Sequence, residues 1–77
     1  MPEFKYEIKE EVSVLSQSGG YTTEVNVIAY GENGRNKLDI RKWNRNEDKM
    51  MKGITLNRAE AEGLLEALKE FDFDNLD

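Results

Sequence analysis

The stretch LDIRKWNRNEDKMMKGITLNRAEAEGLLEAL, residues 38–68, decides how this chain folds. It holds two short runs with apolar residues at every second position, a polar connection between them, and then apolar residues at helical spacing. From Lys37 to Trp43, alternation puts Leu38 and Ile40 on one face of a strand and Asp39, Arg41 and Trp43 on the other. Asn44 to Lys49 is the connection, and Met50 to Leu56 reads as a second strand with Ile54 and Leu56 toward the core. Gly53 inside it either admits another chain or ligand close to the backbone or marks a bulge. Asn57 is a good helix N-cap, and Glu60 three residues later completes a capping-box pattern. The helix is expected over residues 57 to about 71. Ala61, Leu64, Leu65, Leu68 and Phe71 form its apolar stripe, which reads as core or dimer interface.

Working outward, Tyr21 to Tyr30 alternates as a strand with Tyr21, Thr23, Val25, Val27 and Ala29 on the face expected to be the core, and Thr22, Glu24, Asn26, Ile28 and Tyr30 opposite. Gly31-Glu32-Asn33-Gly34 then signals a hairpin, because Asn-Gly tolerates the left-handed backbone of a tight turn. Upstream, residues 4–15 read as a first strand carrying Phe4, Tyr6, Ile8, Val12 and Val14 at even positions. Glu10 breaks that pattern, which points to a bulge around Lys9 to Glu11 or to a simple exposed Glu. Ser16 to Gly20 is the turn that follows. Residues 72–77, DFDNLD, read as an acidic, solvated tail without the Gly and closing Glu of a calcium loop. The expected fold is therefore α+β: one domain over residues 1–77, a four-stranded antiparallel β-β-β-β-α meander with strands near 4–15, 21–30, 37–43 and 50–56, and one amphipathic C-terminal helix. One helix covers one sheet face at most, so the other is expected to be wet. At 77 residues a single core is small, and a homodimer is expected.

The residue inventory narrows the chemistry. The chain has no His and no Cys, which removes the commonest catalytic base, thiolate metal ligands and disulfides. No phosphate-binding glycine loop is present and the carboxylates fall at surface spacing, so no enzymatic activity, cofactor or metal is expected. The apolar runs are too short to span a membrane, and MPEFKYEIKEE lacks the basic start and apolar centre of a signal peptide, so a cytoplasmic location is expected.

The net charge of −5 argues at first against an anionic partner, but its distribution reverses that inference. Residues 35–58 hold eight basic side chains (Arg35, Lys37, Arg41, Lys42, Arg45, Lys49, Lys52, Arg58) against Asp39, Glu47 and Asp48, a local +5, while the remainder carries −10. Exposed charges more than a Debye length of roughly 8–10 Å apart are largely screened, so a local patch matters more than the total. A single nucleic-acid strand needs cations for its phosphates and flat apolar surfaces for its bases. Arg35, Lys37, Arg41, Lys42 and Lys52 are the candidate phosphate contacts, and Tyr30 and Trp43 the candidate stacking surfaces. Trp43 also fits a half-buried sheet residue at the helix or dimer junction. A duplex groove is disfavoured because the one helix carries mainly carboxylates. The alternative function is a protein-protein interaction or RNA-binding module using the acidic helix or the sheet edge.

The order DIRKW, polar loop, KGITL and capped helix NRAEAEGLLEAL resembles the Positive Cofactor Four family of transcriptional coactivators, in particular its small bacterial, YdbC-like branch. The resemblance implies a homodimer whose curved sheets form channels for single-stranded DNA with little sequence preference. It also implies roles in transcription, replication or repair, with transcription or repair proteins as further partners. Leu64, Leu65, Leu68 and Phe71 are then the dimer-interface residues. It implies phosphate contacts at Arg41 and Lys52, base stacking at Trp43 and Tyr30, and a basic hairpin made of Lys37, Lys42 and the Asn33-Gly34-Arg35 tip. Eukaryotic members of that family have one further residue between the Arg and the Trp. In a strand one residue reverses a face, so the register of Trp43 against Arg41 is the decisive geometry.

Overall fold

The computed structural model describes residues 6–31 and 34–77. Four strands, β1 (Tyr6–Ser18), β2 (Tyr21–Tyr30), β3 (Lys37–Asn44) and β4 (Lys49–Leu56), form one antiparallel sheet in the order β1-β2-β3-β4, followed by α1 (Arg58–Glu70). This is the α+β meander with a C-terminal helix that the alternation anticipates. Phe4, Glu32 and Asn33, which carry part of the first strand and of the hairpin tip in the sequence reading, lie outside the described residues. The β1–β2 turn is tighter than Ser16 to Gly20: β1 continues to Ser18, and Gly19 alone takes a positive φ, 60°. The tail is not wholly irregular, because Phe73–Asn75 form one 3-10 turn capped by the Asp72 side chain, and Phe71 and Phe73 meet edge to face at 5.1 Å.

The helix begins where its cap dictates. Asn57 stays extended, its side chain accepts from the Glu60 backbone N–H at 2.8 Å, and the Glu60 carboxylate accepts from the Asn57 N–H at 2.9 Å. Two of the donors that every helix start leaves unpaired are thereby satisfied.

The sheet departs from a flat ribbon. Register slips three times between β1 and β2, at Ile8/Glu10, Glu11/Ser13 and Val14/Ser16, and once between β3 and β4, at Arg41/Trp43. The first slip is the bulge that Glu10 signals. Each extra residue bends its strand and increases the local twist. Their combined effect can be measured with two rings. Tyr6 stands opposite Tyr30, and Trp43 opposite Thr22, eight residues along β2. In a flat sheet those positions are about 27 Å apart. The rings of Tyr6 and Trp43 have centroids 6.1 Å apart, so the sheet is curled tightly around one face.

That curl reverses the expected assignment of inside and outside. The concave face carries Thr22, Glu24, Asn26, Ile28, Asp39 and Trp43, and all six are buried. The face read as core, with Val25, Val27, Leu38 and Ile40, is convex and only half-buried; Ile54 on it is 56% exposed, and the exception is Ala29, which is buried. The two faces are distinguished by curvature rather than by polarity, because side chains inside a tight curl shield one another. Among the described residues the helix touches β3 and β4 and no other strand. Its apolar stripe therefore remains open: Leu64 is half-buried and Leu65, Leu68 and Phe71 are exposed.

Gly53 stands opposite Arg41 beside the β3–β4 bulge, and a Cβ there would collide with the Arg41 Cβ and the Ile40 carbonyl. Close backbone approach within the chain thus explains this glycine. Gly63, on the exposed helix, has open space around it. Gly53→Ala should lower the stability read from urea unfolding by about 1–3 kcal/mol, whereas Gly63→Ala should leave it unchanged or raise it by up to about 1 kcal/mol. Equal effects at the two positions would contradict the packing described.

Candidate nucleic-acid interface

The concave face is built on two buried carboxylates, each held by an arginine. Asp39 and Arg41 are two apart on β3 and share a face. Arg41 donates from Nε to Asp39 Oδ1 at 2.5 Å, from Nη2 to Oδ2 at 2.6 Å and to the Tyr30 hydroxyl at 3.1 Å, and from Nη1 to the Met51 carbonyl at 3.1 Å. Four of its five N–H groups are therefore used within the chain. The Tyr30 hydroxyl donates in turn to Asp39 Oδ2 at 3.1 Å. Burial, followed by the Asp39 charge, raises the Tyr30 pKa above its usual 10, and the hydrogen bond to Asp39 raises that of Arg41.

The second carboxylate is Glu24, in the middle of β2. Oε2 accepts from Thr22 at 2.5 Å and from Arg45 Nε at 2.7 Å, while Oε1 accepts from Arg45 Nη2 at 2.5 Å and from Asn26 at 3.3 Å. All four acceptor positions are filled. The hydrogen bonds from Arg45 contribute most, with help from Thr22 and Asn26, and they outweigh burial to hold the Glu24 carboxyl down at about 2. Arg45 reaches it from the β3–β4 turn, where its backbone N–H also donates to the Gly20 carbonyl at 2.7 Å and its guanidinium lies 4.2 Å from the centre of the Trp43 ring. Asp48, at φ 49° in the same turn, accepts from Arg45 Nη1 at 3.3 Å. One residue, through its backbone and its side chain, thus joins both hairpin ends to the concave floor.

The register question raised by the DIRKW spacing has a definite answer: Arg41 and Trp43 lie on the same face, opposite Glu24 and Thr22. Trp43 is nevertheless not an open platform. It is 1% exposed, covered by Tyr6 and by Arg45, and it sits on the sheet rather than at the helix junction. Its indole N–H has no hydrogen-bond partner among the described residues. Tyr30 is half-buried on the concave side, against Asp39, Arg41 and Tyr6. Among the cations, Lys37 shares the concave face through its pairing with Ile28, and with Tyr30, Gly34 and Arg35 it lines an open groove of about 220 Å³. Lys42 pairs with Thr23 and so belongs to the convex side, away from Arg41. Lys52 falls in the β4 bulge and borders a second groove of about 410 Å³ with Lys49, Met50 and Met51. Arg35, Lys37, Lys42, Lys49 and Lys52 are exposed and make no ion pair among the described residues.

Four residues that organise this face, Tyr6, Glu24, Asp39 and Arg45, are not singled out as site residues by sequence. The Asp39-Arg41 pair was recoverable from their i, i+2 spacing on a strand. Glu24 and Arg45 are 21 residues apart in the chain, and no local pattern joins them.

Comparison with known proteins agrees with this architecture. Residues 20–67 match the family model described as Transcriptional Coactivator p15 (PC4). An uncharacterized protein of Treponema pallidum (strain Nichols) is 40% identical over 74 residues, which cover 94% of this chain and 85% of that protein.

The low pKa of Glu24 sets a pH dependence. A carboxyl whose folded pKa lies below its unfolded value contributes stability above the unfolded pKa of 4.5, and that contribution is lost as pH falls toward about 2. The difference corresponds to on the order of 3 kcal/mol. Glu24→Gln should lower the urea midpoint at pH 7 and flatten its fall between pH 5 and pH 2.5; an unchanged slope would show that Glu24 does not carry it.

Proposed function

Since the chain belongs to the family of the transcriptional coactivator p15 (PC4), whose members bind single-stranded DNA and act in transcription coactivation, we propose that it binds single-stranded DNA without sequence preference along the concave side of its sheet. The observation that carries this reading is the pair of exposed cations, Arg35 and Lys37, free of ion pairs among the described residues, that lines a groove with Tyr30 at the edge of the aromatic-bearing concave face; Lys52, exposed in the β4 bulge next to Gly53 and so close to Arg41, is a further candidate contact. Phosphates neutralise such cations and release counterions, which supplies affinity whatever the base sequence. The floor supports the lack of preference. Glu24 has no acceptor position left and Arg41 a single unused N–H, too few for the bidentate contacts that read a base edge. Arg41 acts in this reading as a fixed part of the floor more than as a mobile phosphate contact.

The acting unit is a homodimer. Ile28, Ala29 and Trp43 are the only buried hydrophobic residues among those described, while the convex face and the stripe of Leu64, Leu65, Leu68 and Phe71 are left uncovered, with Leu65 54% exposed. A chain this short with so little buried apolar area is stabilised by a second copy laid on those surfaces. No helix among the described residues is long and apolar enough to cross a membrane. The proposed compartment is the cytoplasm, where the exposed strands of transcription, replication or repair would be met.

Two measurements test the proposal. A labelled oligothymidylate should bind at low ionic strength with an affinity that falls steeply with salt, and Lys37→Gln with Lys52→Gln should reduce the slope of log K against log salt by about 0.7 per lost contact. Absence of binding at low salt would overturn it. In sedimentation, the 8.9 kDa chain should run as a dimer, and Leu65→Asp should shift it toward monomer or unfold it.

A further inference from the structure

Trp43 and Tyr30 are the aromatic residues that the sequence offers a bound strand, yet one is buried and the other half-buried with its hydroxyl held by Asp39 and Arg41. The ring that a base would meet first is a third one. Tyr6, at the start of β1, packs against both: its centroid is 6.4 Å from Tyr30 at an interplanar angle of 51°, and 6.1 Å from Trp43 at 60°. It is 37% exposed, so it is the outer member of a three-ring cluster whose inner members keep it in place. Through Tyr30 it adjoins the groove lined by Gly34, Arg35 and Lys37. A supported aromatic surface next to two exposed cations provides for the base and for the phosphate of one nucleotide.

Resting on the reading of the concave side as a single-strand site, we propose that Tyr6 is its base-stacking residue, with the adjoining phosphate held by Arg35 and Lys37, and that Trp43 supports Tyr6 from beneath without touching the strand. Stacking on a ring needs no particular base edge, so this arrangement keeps the binding tolerant of sequence. It also gives the buried Trp43 a purpose. An aromatic floor under Tyr6 limits its rotamers before the strand arrives, which lowers the ordering cost of binding.

The test uses the full chain and an oligothymidylate carrying 5-iodouracil, irradiated in the bound state and digested with trypsin. The adduct is expected on the peptide Tyr6–Lys9, in which Tyr6 is the only aromatic residue. Adducts confined to the peptides holding Trp43 or Tyr30 would overturn the proposal. In parallel, Tyr6→Leu should weaken oligothymidylate binding roughly tenfold or more with an unchanged salt slope, and Tyr6→Phe should bind as the unaltered chain does. Trp43 emission reports whether each variant keeps its fold. Full affinity in Tyr6→Leu, with the unaltered chain binding normally, would contradict the role of Tyr6 alone. Failure of the unaltered chain to bind at low salt would instead remove the single-strand reading and this inference with it.

Discussion

A carboxylate shut inside a curled sheet is tolerated only if its charge is met at close range, and the Glu24–Arg45 pair is the interaction on which this structure turns. Arg45 comes from the β3–β4 turn, Glu24 from the middle of β2, and the backbone of Arg45 is tied to Gly20 in the β1–β2 turn. One residue therefore closes both hairpin ends onto the concave floor and covers the Trp43 ring as it does so. Removing one partner of such a pair leaves a buried charge without compensation, a loss of several kcal/mol, whereas forming it adds far less than its Coulomb energy suggests. The pair is better understood as specifying the curl than as the main source of stability.

The curl in turn decides what the surface can do. Bulges along β1 bend the sheet until Tyr6 reaches Trp43, and the two carboxylates buried on the concave side are each met by an arginine. Arg35 and Lys37 remain exposed, without an ion pair among the described residues, beside Tyr30 at the edge of that side. The negative total charge and the basic interface coexist because the acidic residues lie mainly on β1, the helix and the tail. The same geometry leaves the apolar convex face without cover, so the surface that fits a second copy and the surface that fits a nucleic-acid strand are opposite sides of one sheet.

Much of this was legible in the chain, and the division follows the range of the interactions. The helix start at Asn57 and Glu60, the strands β2 to β4 and the shared face of Asp39, Arg41 and Trp43 are set by neighbours within a few residues, and alternation or capping reveals them. The bulge near Glu10 was visible as a break in period. Which face is the interior was not, because alternation groups residues without saying toward which side the sheet closes. Thr22, Glu24 and Asn26 look like a wet face until Arg45 and the curl are known. The contact of Tyr6 with Trp43 joins positions 37 apart, and neither residue carries a local sign of it.

The most direct test of the account is whether those two rings meet. Nuclear Overhauser cross-peaks between the ring protons of Tyr6 and the indole protons of Trp43, measured on the free protein, should be present together with backbone cross-peaks that pair Tyr6 with Tyr30 and Trp43 with Thr22. Intact strand pairing without the Tyr6–Trp43 cross-peaks would mean a flatter sheet with an open Trp43, and would contradict it.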